Sequence, residues 1–338
     1  MKILFTGASS FTGMHFVNAL LAAGHDVRVT FSRENNFAYS PEEQVRMSTF
    51  LAHAGHGQAR YNSPFGGGWF WKEFEDNIDV VCLHGAKGLS GGGPNADFDV
   101  IGAVESNTYN APAVIRTMKR AGVKKVVLTG TYFERWNGLL HNGNNTNPPK
   151  NAYALSKTLT SDIIKFYCDE SGIPFTKFII PNPFGPYENK RFTTDAAMAW
   201  LDGKHFTVLD PDPNRDNIHV SLLAKCYAKF VSDNVRMELA PRGYQTSQGD
   251  FALKFAREMR SRLGVPCPLD FAQSQKTASG FSDYRGNRTY PEEYLKPEHT
   301  GNDGLPEPVP FSQTWDEGIA WAELAEYYKH IHRATRFK

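Results

Sequence analysis

Short apolar runs alternate with longer stretches of helical period through the first half of the chain. Lys2–Thr6, Val27–Phe31, Asp79–Leu83, Lys124–Thr129 and Phe175–Ile180 read as strands. The runs DVVCLHGA and KKVVLTG are continuous enough to be buried on both faces. Between the strands, Phe11–Ala23, Asp99–Ala121 and Tyr153–Ser171 carry helical spacing. Strand–helix alternation of this kind predicts an α/β fold, a parallel sheet covered by helices on both faces. From about Pro181 onward proline, glycine and aromatic residues increase and the alternation is lost. We therefore expect a main domain over residues 1–180 and a smaller, irregular C-terminal lobe over residues 181–338. A helical pattern at Asn214–Asp233 is expected to return to the main domain. The glycine-rich stretches Gly66–Trp71 and Gly91–Gly93 read as loops.

Composition narrows the class of protein. At 338 residues the chain can bury a full core as one large domain or two smaller ones. The formal net charge of +1 provides no electrostatic case for nucleic acid or an anionic membrane as partner. The cysteines, Cys82, Cys168, Cys226 and Cys267, lie far apart with no CxxC pair. Neither a zinc site nor a disulfide framework is expected, and no metal ligands are assigned; reduced thiols point to the cytoplasm. No apolar run reaches the roughly 18 residues of a membrane span, and KILF opens the chain without a signal-peptide layout.

The turn TGASSFTG, Thr6–Gly13, follows the first strand and opens the first helix. That is the context of a dinucleotide cradle in a Rossmann-type doubly wound sheet. Gly7 and Gly13 permit a tight turn and close packing of helix on strand, and backbone N–H groups at the helix start can hold a pyrophosphate. Ser9, Ser10 and Phe11 complete the expected cradle. An acid at the end of the second strand would grip the ribose hydroxyls of NAD. HDVRVTFSR has Phe31 there, followed by Ser32 and Arg33. Arginine suits a 2′-phosphate through charge-assisted hydrogen bonds, so NADP is preferred, with NAD as the alternative.

Tyr153 and Lys157, in PPKNAYALSK, stand four apart and share one helix face. A tyrosine whose pKa falls from about 10 to about 7 needs roughly 4 kcal/mol of differential interaction. A lysine ammonium beside it favours the phenolate and supplies part of that. The pair therefore reads as an acid/base with its tuning group.

The turn TGASSFTG resembles the TGxxGxxG fingerprint of extended short-chain dehydrogenases/reductases, with Ser10 standing where the middle glycine is expected. The resemblance covers most of the chain. It continues through His84–Ala86 (HGA), Asn107, GTYFE, YALSK, PNPFGPYE and RDNIHV, and looks like the branch of nucleotide-sugar epimerases, dehydratases and reductases. By resemblance Gly85 and Ala86 belong to the cofactor site and Asn107 orients the active site through backbone contacts. Thr131 hydrogen-bonds the reacting substrate oxygen, with Thr129 in reserve. Asn182 and Arg215 bind the diphosphate of a nucleoside-diphosphate sugar, and a homodimer forms through the helices near Asp99–Ala121 and Tyr153–Ser171.

Departures from the family pattern narrow the chemistry. Related 4,6-dehydratases carry acids directly after the strand-end threonine. Here Tyr132 and Phe133 stand in those places, and Glu134 is displaced by one residue. A dehydratase is therefore disfavoured. The expected enzyme is a nucleotide-sugar oxidoreductase acting at C4, a 4-ketoreductase slightly ahead of a 4-epimerase because Ser32–Arg33 favours NADP. The alternatives are reduction of a non-nucleotide ketone or aldehyde, and a non-catalytic dinucleotide-binding sensor.

Overall fold

The apolar runs become strands of one parallel sheet because nearly every residue in them is buried, as both-face coverage requires. The structure, a computed structural model, describes residues 1–54, 58–87, 98–134, 149–233, 237–273, 289–295 and 315–336. Contacts divide the chain into two compact units, Met1–Ile180 with Ala224–Ala240, and Pro181–Leu223 with segments after Pro241.

In the first unit the chain runs β1 (Lys2–Thr6), α1 (Phe11–Ala22), β2 (Asp26–Thr30), α2 (Pro41–Ala54), β3 (Ala59–Arg60), a 3-10 segment Gly68–Asp76, β4 (Val80–Leu83), α3 (Val100–Asn107), α4 (Ala111–Arg120), β5 (Lys125–Thr131), α5 (Ala152–Ser171) and β6 (Phe175–Ile180). The second unit holds β7 (Asn182–Phe184), α6 (Phe192–Leu201), β8 (Phe206–Val208) and β9 (Asn214–His219). Helix α7 (Val220–Ser232) then leads to β10 (Glu238–Leu239) in the first unit. The chain continues through β11 (Tyr244–Ser247), α8 (Gln248–Leu263), β12 (Leu269–Phe271), α9 (Pro291–Tyr294) and α10 (Glu317–Arg336).

The main sheet has seven strands in the order β10-β6-β5-β4-β1-β2-β3, parallel throughout. From β1 the chain winds outward to β2 and β3, then crosses to β4 on the other side. The carboxyl ends of β1 and β4 therefore form the topological switch point, where such sheets bind ligands. The Rossmann-type fold expected from the sequence is present. Phe16, Phe178 and Tyr227 pack together in this unit, and the buried Lys125 amine donates to Val231 O and Asp233 O at 2.6 and 2.7 Å, tying the end of α7 to β5.

Several boundaries differ from the sequence reading. Asp99–Ala121 is two helices, broken where Asn110 takes a left-handed φ of 55° ahead of Pro112. A proline ring cannot follow an unbroken helix, but it fits a first turn. Gly68–Trp71 is not loop: it opens the 3-10 segment, whose Phe70 and Phe74 are buried in the core beneath β4. Gly91–Gly93 lies outside the described residues. Asn214–His219, read as helical, is the strand β9, and only Val220–Ser232 is helix. The stretch read as irregular contains the long helices α8 and α10, which close a core of Trp200, Phe251, Phe255, Trp321 and Tyr328. Among the described residues no helix is long and apolar enough to cross a membrane, and no His, Cys, Asp and Glu cluster could hold a metal. All four cysteines are buried and none forms a disulfide.

Candidate active site

The β1–α1 turn is built for close approach of backbones. Gly7 has a φ of 79°, and a Cβ on it would lie 2.5 Å from Gly85 Cα, just past the end of β4. A Cβ on Gly13 would lie 2.2 Å from Gly7 O. Neither position admits a side chain without moving backbone. This cradle at the switch point, with the start of α1 opening from it, fits a dinucleotide. Thr6 Oγ1 accepts from the N–H groups of His84 and Gly85 at 3.1 and 2.9 Å, which fixes the segment carrying Gly85 and Ala86 beside the turn. Ser9 and Phe11 flank the turn, half-buried.

The Ser10 hydroxyl caps α1, accepting from Gly13 N at 3.1 Å and lying 2.9 Å from Gly7 O and 3.0 Å from His84 Nε2. The side chain is committed inward. Asn107, the last residue of α3, accepts from Lys87 N at 2.8 Å and lies within 3.4 Å of Thr160 Oγ1 on α5. It joins the segment after β4 to α5 through a backbone contact.

Past β2, Phe31 is buried and stacks on Tyr61, while Ser32 and Arg33 are exposed. The Arg33 guanidinium bonds Ala38 O, lies 3.5 Å from the Glu43 carboxylate and stands 4.5 Å over the Tyr39 ring. Glu43 in turn accepts from Ser40 N, and Ser40 Oγ accepts from Glu43 N, a reciprocal cap at the start of α2. Part of the Arg33 charge is thus balanced within the protein.

Tyr153 and Lys157 lie in the first two turns of α5, which Asn151 caps by accepting from Ala154 N at 2.8 Å. Tyr153 is half-buried, its ring edge-on to Phe98 at 6.0 Å. Lys157 is buried and donates to Thr129 O on β5 at 2.7 Å. Burial pushes its pKa down, opposed by the Glu134 carboxylate and reinforced by the Lys177 ammonium. Strand β5 runs two residues further than the pattern suggests and ends at Thr131. Thr129 is buried, with its hydroxyl 3.1 Å from His84 Nδ1. Thr131 is half-buried at the strand end. Of the two threonines, Thr131 has the more accessible place.

Glu134 is no loose proton carrier. Its carboxylate accepts from Thr131 N at 2.7 Å and pairs with Lys177 at 2.5 Å, both side chains largely buried. Burial raises Glu238, which faces the same pair from β10. Sequence reasoning passed over Lys177. Its signal was a lysine inside an otherwise apolar strand, FTKFII, since a charge there needs a buried partner.

In the second unit β9 pairs with β7 and β11. Asn182 stands opposite Asn217, and Arg215 lies two residues earlier on β9. The period of two puts Asn182, Arg215 and Asn217 on one face of this small sheet. Asn182 Nδ2 donates to Asn217 Oδ1, and Asn217 Nδ2 reaches Gln248 Oε1 at 3.4 Å. The structure thus brings Asn182 and Arg215 together within that unit.

A glycine cradle at the switch point and a Tyr–Lys pair on the helix after β5 define an extended short-chain dehydrogenase/reductase. The chain is an enzyme of the NAD dependent epimerase/dehydratase family, whose model matches residues 3–239. No curated protein matches it. Among solved structures it is similar to the UDP-glucuronic acid 4-epimerase of Bacillus cereus in complex with UDP-glucuronic acid and NAD, at 16% identity and a TM-score of 0.67 over 98% of this chain and 100% of that one. It is also similar to the UDP-N-acetylglucosamine 4-epimerase of Methanobrevibacter ruminantium, at 16% identity and a TM-score of 0.66 over 98% of both chains. A dTDP-glucose 4,6-dehydratase of Streptomyces venezuelae matches at 17% identity and a TM-score of 0.66 over 98% of this chain and 97% of that one. At these identities the likeness is one of fold.

Proposed function

We propose that the protein is a nicotinamide-dinucleotide-dependent oxidoreductase acting at C4 of a nucleoside-diphosphate sugar. The observation that carries this reading is the placement of Tyr153 and Lys157 one helical turn apart, with the Lys157 amine on Thr129 O and Thr131 closing the same strand. A nicotinamide dinucleotide held by the cradle would supply or accept the hydride. Tyr153 gives a proton to the C4 oxygen or takes one from it, and the Lys157 ammonium favours the phenolate between those states. The Thr131 hydroxyl hydrogen-bonds the same oxygen. Asn182 and Arg215 hold the diphosphate, for which a planar guanidinium and an amide donor are suited.

Elimination of water is disfavoured because Tyr132 and Phe133 carry no carboxylate and Glu134 is spent on Lys177 and Thr131 N. Between ketoreductase and epimerase we favour the ketoreductase slightly. The reason is the missing acid after β2 together with Arg33, which favours NADPH as a consumed cofactor; Glu43, 3.5 Å from Arg33, moderates that preference. We further propose a homodimer through α3, α4 and α5.

Mass spectrometry of small molecules released from the purified protein by denaturation tests the reading. Stoichiometric oxidised cofactor with a trapped sugar nucleotide is the result of an epimerase that recycles its cofactor. A protein purified empty that then takes up NADPH and reduces a 4-keto sugar nucleotide is the ketoreductase. A protein with no affinity for either dinucleotide is neither, and the reading falls.

A further inference from the structure

Within the first unit, His84 sits at the centre of a hydrogen-bonded set that the proposed chemistry does not use. It follows β4, stacks on Phe5 at 5.5 Å between ring centroids and meets Phe16 edge-on at 5.2 Å. Its Nε2 lies 3.0 Å from Ser10 Oγ and 3.2 Å from Thr12 Oγ1, both at the start of α1. Its Nδ1 lies 3.1 Å from Thr129 Oγ1 on β5. One imidazole thus links the turn after β1, the end of β4 and β5.

Hydrogen-bond accounting settles the direction of these contacts. The Ser10 hydroxyl has one proton, which Gly7 O accepts at 2.9 Å, and two lone pairs, one of which accepts from Gly13 N. The contact with His84 must then run from Nε2–H to Ser10 Oγ. That tautomer leaves Nδ1 as an acceptor for the Thr129 hydroxyl. The neutral ring fits this scheme: its packed surroundings and the Lys157 ammonium push His84 down to about 3.

Ser10 stands where a dinucleotide turn ordinarily uses its middle glycine, the position at which backbone approaches pyrophosphate. A side chain there is a threat to binding unless it is turned away. We propose that His84 is a positioning residue that holds the Ser10 hydroxyl inward, so that Ser10 and His84 together replace that glycine. The same ring bonds the hydroxyl of Thr129, whose carbonyl anchors Lys157. His84 therefore sets the phosphate turn and the lysine anchor against one another. This inference rests on the dinucleotide reading above.

A double-mutant cycle tests it, with the Kd for NADPH and for NADH measured on the full chain by titration calorimetry and folding followed by thermal unfolding without cofactor. His84→Leu is expected to raise the Kd about tenfold, the size of coupling usual within one hydrogen-bond network. In the Ser10→Gly background the same change is expected to cost less than about threefold, because there is no longer a side chain to hold. A purely structural role for His84 would make the double variant worse than either single one. Equal losses from His84→Leu in both backgrounds overturn the proposal, as does unchanged affinity in the single variant. If His84→Leu does not fold, His84→Gln takes its place: its amide can both donate and accept, and it should hold the Kd within about threefold of wild type. A tenfold loss in that variant overturns the proposal. A wild-type protein that binds neither dinucleotide overturns both this inference and the function it rests on; a wild type that binds beside an indifferent His84→Leu variant overturns this inference alone.

Discussion

Tyr153 is the residue on which the proposed chemistry depends. Removing only its hydroxyl leaves the packing against Phe98 and the cradle around Gly7 and Gly85 unchanged. Tyr153→Phe is expected to lower turnover by about two to four orders of magnitude, the range for a positioned acid/base, while NADPH binds within a few-fold of wild type. Unchanged turnover in this variant removes the mechanism. Thr131→Val should cost roughly a hundredfold to a thousandfold in kcat, as loss of one donor to the reacting oxygen does, with little change in stability at this half-buried strand end. Arg33 offers a second test at the cofactor end. Arg33→Ala is expected to weaken NADPH more than NADH, measured as the ratio of the two Kd values, by less than a free arginine would because Glu43 already shares its charge. Equal weakening of both cofactors would show that Arg33 serves its loop and not a 2′-phosphate. These residues stood out in the sequence because each has a demanding local context. The hydrogen bonds of His84 and the ion pair of Lys177 with Glu134 join positions some 40 to 80 apart, which no local pattern contains.

At the scale of elements, buried strands and the helices between them were legible because period and burial coincide there. The helix break at Asn110 was written in the sequence as Pro112, four residues past Thr108, yet the apolar spacing on both sides read as continuous. The strand β9 escaped because NRDNIH has four polar residues before its one isoleucine. Its burial comes from pairing with β7 and β11, not from its own composition. Helices α8 and α10 were masked by the proline-rich text around them. One buried acid in that second unit makes a testable element. Glu188 Oε1 receives hydroxyls from Thr193 and Thr194 on α6 and from Tyr328 on α10. Burial nonetheless raises its pKa to about 7, against the pull of those hydroxyls and of Arg191. An acid whose folded pKa lies above its unfolded value favours the folded state when protonated. The penalty for charging it is absent below about pH 4.5, grows as pH rises to about 7 and is then constant. The shift corresponds to roughly 3 kcal/mol. Glu188→Gln should therefore flatten stability between those pH values and raise the Tm at pH 8, read by thermal unfolding at several pH values. A Tm lowered equally at pH 5 and pH 8 would mean that the carboxylate is needed as such.

At the scale of the molecule, the side chains left on the surface of the first unit bear on assembly. Ile101 on α3, Tyr109 between α3 and α4, and Leu155 and Phe166 on α5 are exposed, Ile101 by 75% and Phe166 by 58%. Single exposed apolar residues are ordinary, but Ile101, Leu155 and Phe166 belong to helices that pack on one another. Phe166 also lines a cleft of about 480 Å³ with Thr108, Ala111, Pro112 and Tyr167, where a side chain from another copy would be desolvated. Two copies related by a twofold axis would place the same patch against itself, as closed dimers do. Light scattering during size-exclusion chromatography is expected to return the mass of two chains at micromolar concentration. Ile101→Glu and Phe166→Glu should each shift the protein towards one chain, because each would bury a charge without a partner at the centre of such a contact. Neither residue lies in the cradle or beside Tyr153 and Lys157, so NADPH affinity should follow the oligomeric state only if α5 is held in place by its partner. A monomer at all concentrations, with both variants unchanged, would leave α5 positioned by the core and the hydrogen bonds of its own chain, and the catalytic pair would owe nothing to assembly.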